Sequence, residues 1–466
     1  MWRQPATRPK RSVEALYRSI EQDLGLVRGG ATPERLLDIF RGYADRFDTD
    51  VSSPYNLGYY CLDADLPSLM ALEETDRRAA NIVVMGQHPA AQAFEKLSID
   101  IVLRAFDIDP ARGHGHYTSC GTESNNTALI VAASSRLNHK RLPRGCYDAA
   151  LCADDRGRAR PYEFVWHGAL PLKARPAVYV TGQTHDCVRK NVQNLLGLSS
   201  IREVPMDRRL HMDVGALRRM IAQDRSSGRY IPFYAVASVG ATASGIIDPI
   251  ARIGAVCKSN GIWLHVDAPW GGIAAFSKRL KRACLKGLDY ADSITFDPHK
   301  TLVPLGSGGC GMFLARDREA VQKAFSVGGA RVKDYDYGSM SLQGSRAASG
   351  LRVLMALRDR KGLAERVERE AALGDLLRGE LERAGWHVVN DTPLPVVCTI
   401  HPKMKRGRLS ARQAVDTLHK QGIYAKTAVL HPDEPIALRL GIISRRTERQ
   451  TIHQVVACLK EFARQG

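Results

Sequence analysis

The chain has no CxxC pair, no framework spacing among its ten cysteines, and no internal repeat or low-complexity tract. The first two absences exclude a disulfide scaffold and point to free thiols in a reducing, cytoplasmic compartment. No run of apolar residues is long enough to cross a membrane. The N-terminal stretch MWRQPATRPKRSVEALY is basic but lacks an apolar stretch, so it is not expected to act as a secretory signal. Acidic residues are in deficit: 49 Asp and Glu face 67 Lys and Arg, for a net charge of +18. The basic residues are scattered, however, with no aromatic-interleaved block. The expectation is a solvated Arg-rich surface and no nucleic-acid partner.

What is present is enough for a large core. At 466 residues, 44% hydrophobic and 25% charged, the chain has the balance of a globular protein with two or more lobes. Residues 1–84 are expected to form an N-terminal helical and arm segment. Thr32 caps a helix there, Pro33 fits its first turn, and Leu36, Leu37, Phe40, Ala44 and Phe47 recur at helical spacing. YNLGYYCLD is a short strand or an extended arm. Residues 85–348 alternate between helical patterns and short β-branched runs such as AVYVT, IPFYAVASV, GIWLHVDA, DSITFD and GCGMFLA. That alternation predicts an α/β fold with a central, mostly parallel sheet flanked by helices. The polar, turn-rich stretch 138–164 is an insertion or long loop. Residues 349–466 are a small α+β domain, with a long amphipathic helix through Leu363, Val367, Leu373, Leu377 and Leu381.

In sheets of this kind ligands sit beyond the carboxyl ends of the strands, so each polar residue following a strand is a candidate. TSCGTES opens a helix at Gly121 and Thr122, a place suited to a phosphate. VYVTGQTH puts His185 after a strand, where it also reads as a helix-start residue. WLHVDA ends a buried strand with Asp267, a carboxylate that needs a partner. SITFDPHK places His299 and Lys300 at the end of another strand. A phosphate cradle, an imidazole, a buried acid and a lysine amine are together the parts of a pyridoxal 5'-phosphate site.

TSCGTES, HVDAPWGG and DSITFDPHK resemble the motifs of the group II pyridoxal-dependent decarboxylases, which act on glutamate, aromatic amino acids, histidine, cysteine sulfinate or aspartate. SLQGSR and LRLGIISRRT extend the resemblance toward the C-terminus. It implies an aspartate-aminotransferase-type fold (fold type I, seven-stranded) and a homodimer with the active site at the interface. It also implies pyridoxal phosphate as cofactor and decarboxylation of an L-amino acid to its amine. By motif, Lys300 is the Schiff-base lysine, Asp267 the partner of the pyridine nitrogen and His185 the residue stacked on the ring. Gly121, Thr122 and His299 contact phosphate, and Thr242 lies near the cofactor. Gly344 and Ser345 approach the neighbouring subunit's phosphate. Cys120, Ala241 and Pro269 depart from the pattern. Tyr335 and Tyr337 are the two candidates for the family's proton-donating tyrosine.

Three alternatives stay open: an aldehyde-forming oxidative decarboxylase, an aminotransferase, and a basic binding protein on a dead cofactor fold. Arg439 is balanced between a substrate-carboxylate clamp and a surface residue. His114, His116 and Cys120 lie close in HGHYTSC without further ligands, so no metal site is expected. Cys187 is read as a packing residue.

Overall fold

The computed structural model describes residues 12–24, 32–83, 86–153, 157–305, 309–326, 336–431 and 433–465. Seven strands form the main sheet: β1 (His114–Thr118), β2 (Arg175–Val180), β3 (Ile201–Glu203), β4 (Tyr230–Ser238), β5 (Trp263–Asp267), β6 (Ser293–Phe296) and β7 (Gly311–Ala315). Their order is β1-β7-β6-β5-β4-β2-β3. β2, β3, β4, β5 and β6 pair in parallel, while β7 runs antiparallel between β1 and β6. The strands expected from AVYVT, IPFYAVASV, GIWLHVDA, DSITFD and GCGMFLA are all in this sheet. β5, β6 and β7 are buried along their whole length, because helices cover both faces and leave no solvent side on which alternation could appear.

A second sheet is antiparallel, in the order β10-β11-β9-β8, built from β8 (His387–Val388), β9 (Val396–Ile400), β10 (Lys426–Ala428) and β11 (Ala437–Gly441). The helix Arg360–Arg383 packs on it and buries Leu363, Val367, Leu373, Leu377 and Leu381. The apolar stripe read at these positions is therefore the face turned to the core.

In the N-terminal part, Thr32 caps the helix Pro33–Phe47 by accepting the Arg35 N–H, with Pro33 in the first turn. None of that helix's residues is buried within the chain: Leu36, Leu37 and Phe40 are 38%, 51% and 65% exposed. YNLGYYCLD is an arm with a single bridge, Asn56 to Tyr424, and no strand. It buries Leu57 completely against the second sheet. The described residues of 138–164 form turns and isolated bridges around one short helical turn, Ala149–Cys152. No helix among the described residues is long and apolar enough to cross a membrane.

Candidate active site

The carboxyl ends of five strands converge on one cavity. After β1 the chain enters the helix Gly121–Arg136, whose N-cap Cys120 makes no side-chain capping bond. The first-turn N–H groups at Gly121 and Thr122 have no intrahelical acceptor and suit an anion. After β2, His185 caps the helix Asp186–Leu196. Its Nδ1 accepts the Cys187 N–H at 3.2 Å, which leaves Nε2 for the cavity. After β4, Gly240 turns with φ +79°, and a Cβ there would lie 2.9 Å from the Trp270 indole. That turn carries Thr242. β5 ends at Asp267. After β6, Asp297 starts a single helical turn, Pro298–Thr301, that holds His299 and Lys300. Lys300 is thus on a helical turn just beyond the strand, not on the strand end expected from sequence.

Gly121, Thr122, His185, Thr242, Asp267, His299 and Lys300 all line this cavity, whose volume is about 140 Å³. Cys120, Ala241 and Pro269 line it too, so each departure from the family pattern reshapes its wall.

Lys300 Nζ lies 3.1 Å from Asp297 Oδ2. His299 Nδ1 accepts the Cys310 N–H at 3.0 Å, so the neutral ring carries its proton on Nε2, 3.7 Å from Asp297 Oδ2. Burial pulls His299 below the usual histidine range, with Asp297 opposing. Burial also raises the Asp267 carboxyl above its usual range, against the Asn125 hydrogen bond and the positive charge of His185 and Lys300. Asp267 therefore needs a cationic partner in the cavity to remain a stable anion.

A buried network orients Asp267. Asn125 Nδ2 donates to Asp267 Oδ1 at 3.0 Å. Asn125 Oδ1 accepts from Thr295 Oγ1 at 2.7 Å and from His265 Nε2 at 2.8 Å. His265, whose pKa burial lowers to about 3, is neutral, and its Nδ1 accepts from Ser293 Oγ at 2.9 Å. Ser293 Oγ in turn accepts from Trp263 Nε1 at 2.8 Å. The side-chain polar atoms of Asn125, Thr295, His265, Ser293 and Trp263 in this network all have partners, which is what makes a buried network rigid.

Sequence reasoning missed Asn125, Asp297 and Trp270. Asp297 was legible as the first residue of DPHK, and Trp270 lies inside HVDAPWGG. Asn125 stands one turn after Gly121, on the same helix face. Cys187 packs in a buried cluster, as read from sequence, and also borders the cavity, with Sγ accepting from Asn125 Nδ2 at 3.2 Å. Burial pushes its thiol up to about 11, so it stays protonated at neutral pH. Arg439 is neither surface residue nor cavity wall. It is 7% exposed and donates to Thr242 O at 2.6 Å and Gly58 O at 2.5 Å, beneath the Tyr60 ring. Tyr60 stacks on Trp270 with ring centroids 4.8 Å apart.

Tyr337 is buried beside Arg346 and does not line the cavity of its own chain; Tyr335 lies outside the described residues. Gly344 and Ser345 are also away from that cavity. His114 and His116 are buried in β1 and hydrogen-bond each other at 2.9 Å.

The cavity suits pyridoxal phosphate. Ser238 Oγ and Trp270 Nε1 belong to wall residues and are buried without a hydrogen-bond partner among the described residues. They stand with a lysine amine, a deep carboxylate and a helix N-terminus, a donor set for an anionic aromatic aldehyde. Fold and cavity together define a pyridoxal-phosphate-dependent α/β protein. More specifically, the model for the pyridoxal-dependent decarboxylase conserved domain matches residues 167–400, half of the chain, and the chain belongs to that family.

An L-aspartate decarboxylase of Metarhizium robertsii is 28% identical over 285 residues, 59% of this chain and 51% of that protein. An L-2,4-diaminobutyrate decarboxylase of Rhizobium meliloti is 28% identical over 398 residues, covering 81% and 72%. The first of these matches is typical in that the chain spans about half the length of several curated relatives. The crystal structure of mouse CSAD superposes with a TM-score of 0.81 at 21% identity, over 98% of this chain and 93% of that one.

Proposed function

We propose that this chain decarboxylates an L-amino acid to the corresponding amine, with Lys300 as the amine that holds the cofactor's aldehyde. The observation that carries the reading is the meeting of Lys300, Asp267 and His185 on one cavity wall. Bound pyridoxal phosphate supplies a ring that takes up the electron pair of the broken Cα–carboxylate bond. Asp267, held by Asn125, would hold the proton of the ring nitrogen, and His185 would lie against the ring. The N–H groups at Gly121 and Thr122 and the Nε2–H of His299 would bind the phosphate, with Thr242 bordering the cofactor. Trp270 lines the cavity with Tyr60 stacked against it, an apolar wall that strengthens the polar contacts inside.

Aldehyde formation is the second reading, since Tyr337, one of the two candidate proton donors, does not line the Lys300 cavity of its own chain and would have to serve a second copy. An aminotransferase is less well supported, because both terminal nitrogens of Arg439 are already bonded to backbone carbonyls. The protein acts as a homodimer in this proposal. The apolar side chains of Leu36, Leu37 and Phe40, exposed on a helix with no buried residue, are the surface a second copy would cover.

The test is incubation of the cofactor-loaded protein with a panel of amino acids, reading carbon dioxide, amine, aldehyde and peroxide together. Carbon dioxide with amine supports decarboxylation, and aldehyde with peroxide moves the assignment to the second reading. An α-keto acid without carbon dioxide overturns both. Absence of a borohydride-fixed adduct on the Lys300 peptide, with salt-sensitive nucleic-acid binding, leaves only a basic binding protein.

A further inference from the structure

Lys300 stands on a helical turn of four residues, Pro298–Thr301. So short a turn is not stable by itself and takes its position from what holds its ends. Two arginines from the C-terminal part of the chain hold the carbonyl end. Arg366 Nη2, from the helix Arg360–Arg383, donates to Thr301 O at 2.5 Å. Arg445 Nη2 donates to Leu302 O at 3.0 Å. A cation at the carbonyl end of a helical turn is favourable, and a charged hydrogen bond there is stronger than a neutral one.

Arg366 is itself braced. Its Nη1 donates to Glu370 Oε1 at 3.2 Å, one turn along the same helix, and the two side chains are only 14% and 8% exposed. They border a small void of about 10 Å³ that Thr301 and Trp270 also line, so the same indole is shared with the Lys300 cavity. Among the described residues, the charged groups that act most on this pair are these. Arg366 and Arg369 on its own helix and Arg445 from the C-terminal segment act on Glu370, and Asp63 of the N-terminal arm acts on Arg366. Asp65 of the arm pairs with Arg445.

We propose that Arg366, braced by Glu370, is a positioning residue: it holds the carbonyl end of the turn that carries Lys300 and so sets where the amine stands in the cavity. The proposal rests on Lys300 being the cofactor amine. It makes the helix Arg360–Arg383 part of the active-site framework although it contributes no cavity side chain. Burial raises Glu370 to about 7 even against three arginines. Above that pH the carboxylate neutralises Arg366; below it the guanidinium loses its counter-charge. The setting of Lys300 is therefore expected to change near neutrality.

The test uses the full chain loaded with pyridoxal phosphate, as wild type and as Arg366→Gln, Arg366→Lys and Glu370→Gln. Read out are cofactor retention, the pH titration of the bound cofactor's visible absorption, borohydride-fixed adduct on the Lys300 peptide, and kcat and KM separately. Arg366→Gln is expected to weaken cofactor retention about ten-fold and to move the absorption midpoint, with kcat falling more than KM changes. Arg366→Lys restores part of both. Glu370→Gln, which keeps shape and removes the ionisation, abolishes the spectral change near pH 7. If Arg366→Gln does not fold, Arg366→Lys and Glu370→Gln decide alone. Unchanged absorption titrations and kcat in these folded variants, with the adduct still forming on Lys300, overturn the proposal and leave the proposed function intact. No adduct in the wild type overturns the proposed function instead.

Discussion

Gly121 leaves the space that Asp297 occupies: a Cβ on Gly121 would lie 2.9 Å from Asp297 Oδ2, the oxygen that stands 3.1 Å from Lys300 Nζ. The start of the phosphate-facing helix and the acid beside the lysine are thus packed directly on one another. The glycine is required by close approach, since the neighbouring atom is a charged oxygen with no room to retreat inside the buried turn. Gly121→Ala is expected to displace Asp297 and weaken pyridoxal phosphate retention by about ten-fold or more, at a stability cost of about 1–3 kcal/mol for overpacking. Equilibrium dialysis of the cofactor and thermal melting of the apoprotein check the two effects separately.

Asn125→Ala removes the donor to Asp267 and the acceptor for His265 and Thr295 at once. Leaving buried partners unsatisfied costs about 1–3 kcal/mol for each group. Asp267 also loses the hydrogen bond that favours its anion. The expected outcome is a protein several degrees less stable, with kcat reduced more strongly than the melting temperature suggests. Asn125→Asp, similar in shape, places a second acid against Asp267 and is expected to be worse.

Arg439→Leu leaves Thr242 O and Gly58 O without the guanidinium that joins them. The expected loss is about 3 kcal/mol, the range for charged hydrogen bonds to two acceptors. Because Thr242 borders the cavity, cofactor retention falls as well. Proteolysis within residues 55–62 is expected to speed up, since the arm loses a tie to the body. Denaturant unfolding and limited digestion report these changes.

Acid should destabilise the apoprotein below about pH 6.5. Burial lowers His114 and His265 to about 3 and pulls His116 and His299 down as well. Each stays neutral in the folded state and takes a proton on unfolding as the pH falls below the ordinary histidine value, so its contribution is lost with acid. Asp248 and Glu370 act in the opposite sense: burial raises them to about 6 and 7, so their contribution fades as the pH rises through those values. His401 is lowered and Asp267 and Asp292 are raised as well, so between about pH 5 and 6.5 five histidines act against four carboxyls, and each net proton changes stability by about 1.4 kcal/mol per pH unit. Melting temperature is expected to drop steadily over this range; a flat or rising profile contradicts the assignment.

Local sequence patterns carried much of this. The strands of the main sheet were legible because both faces are covered, which makes each strand an apolar run ending in a polar residue. The Lys300, Asp267 and His185 positions followed because each comes directly after such a run. Thr32 as a cap and the stripe along Arg360–Arg383 were equally local. Arg439, Tyr337 and the cavity contact of Cys187 were not legible in this way, because their surroundings are set by residues far along the chain. Arg439 meets Gly58 and Thr242, and Cys187 meets Asn125.

By itself the sequence determined the kinds of element and the chemical groups at their ends, since these depend on periodicity and on neighbours within a few positions. Only the tertiary structure decided which of those ends face one cavity, which arginines are already engaged, and what braces the turn beneath Lys300. A parallel sheet gathers the carboxyl ends of distant strands at one edge, and several of the hydrogen bonds that then orient them, such as Asn125 to Asp267 and Arg439 to Thr242, join residues more than a hundred positions apart, where no local pattern can encode the pairing.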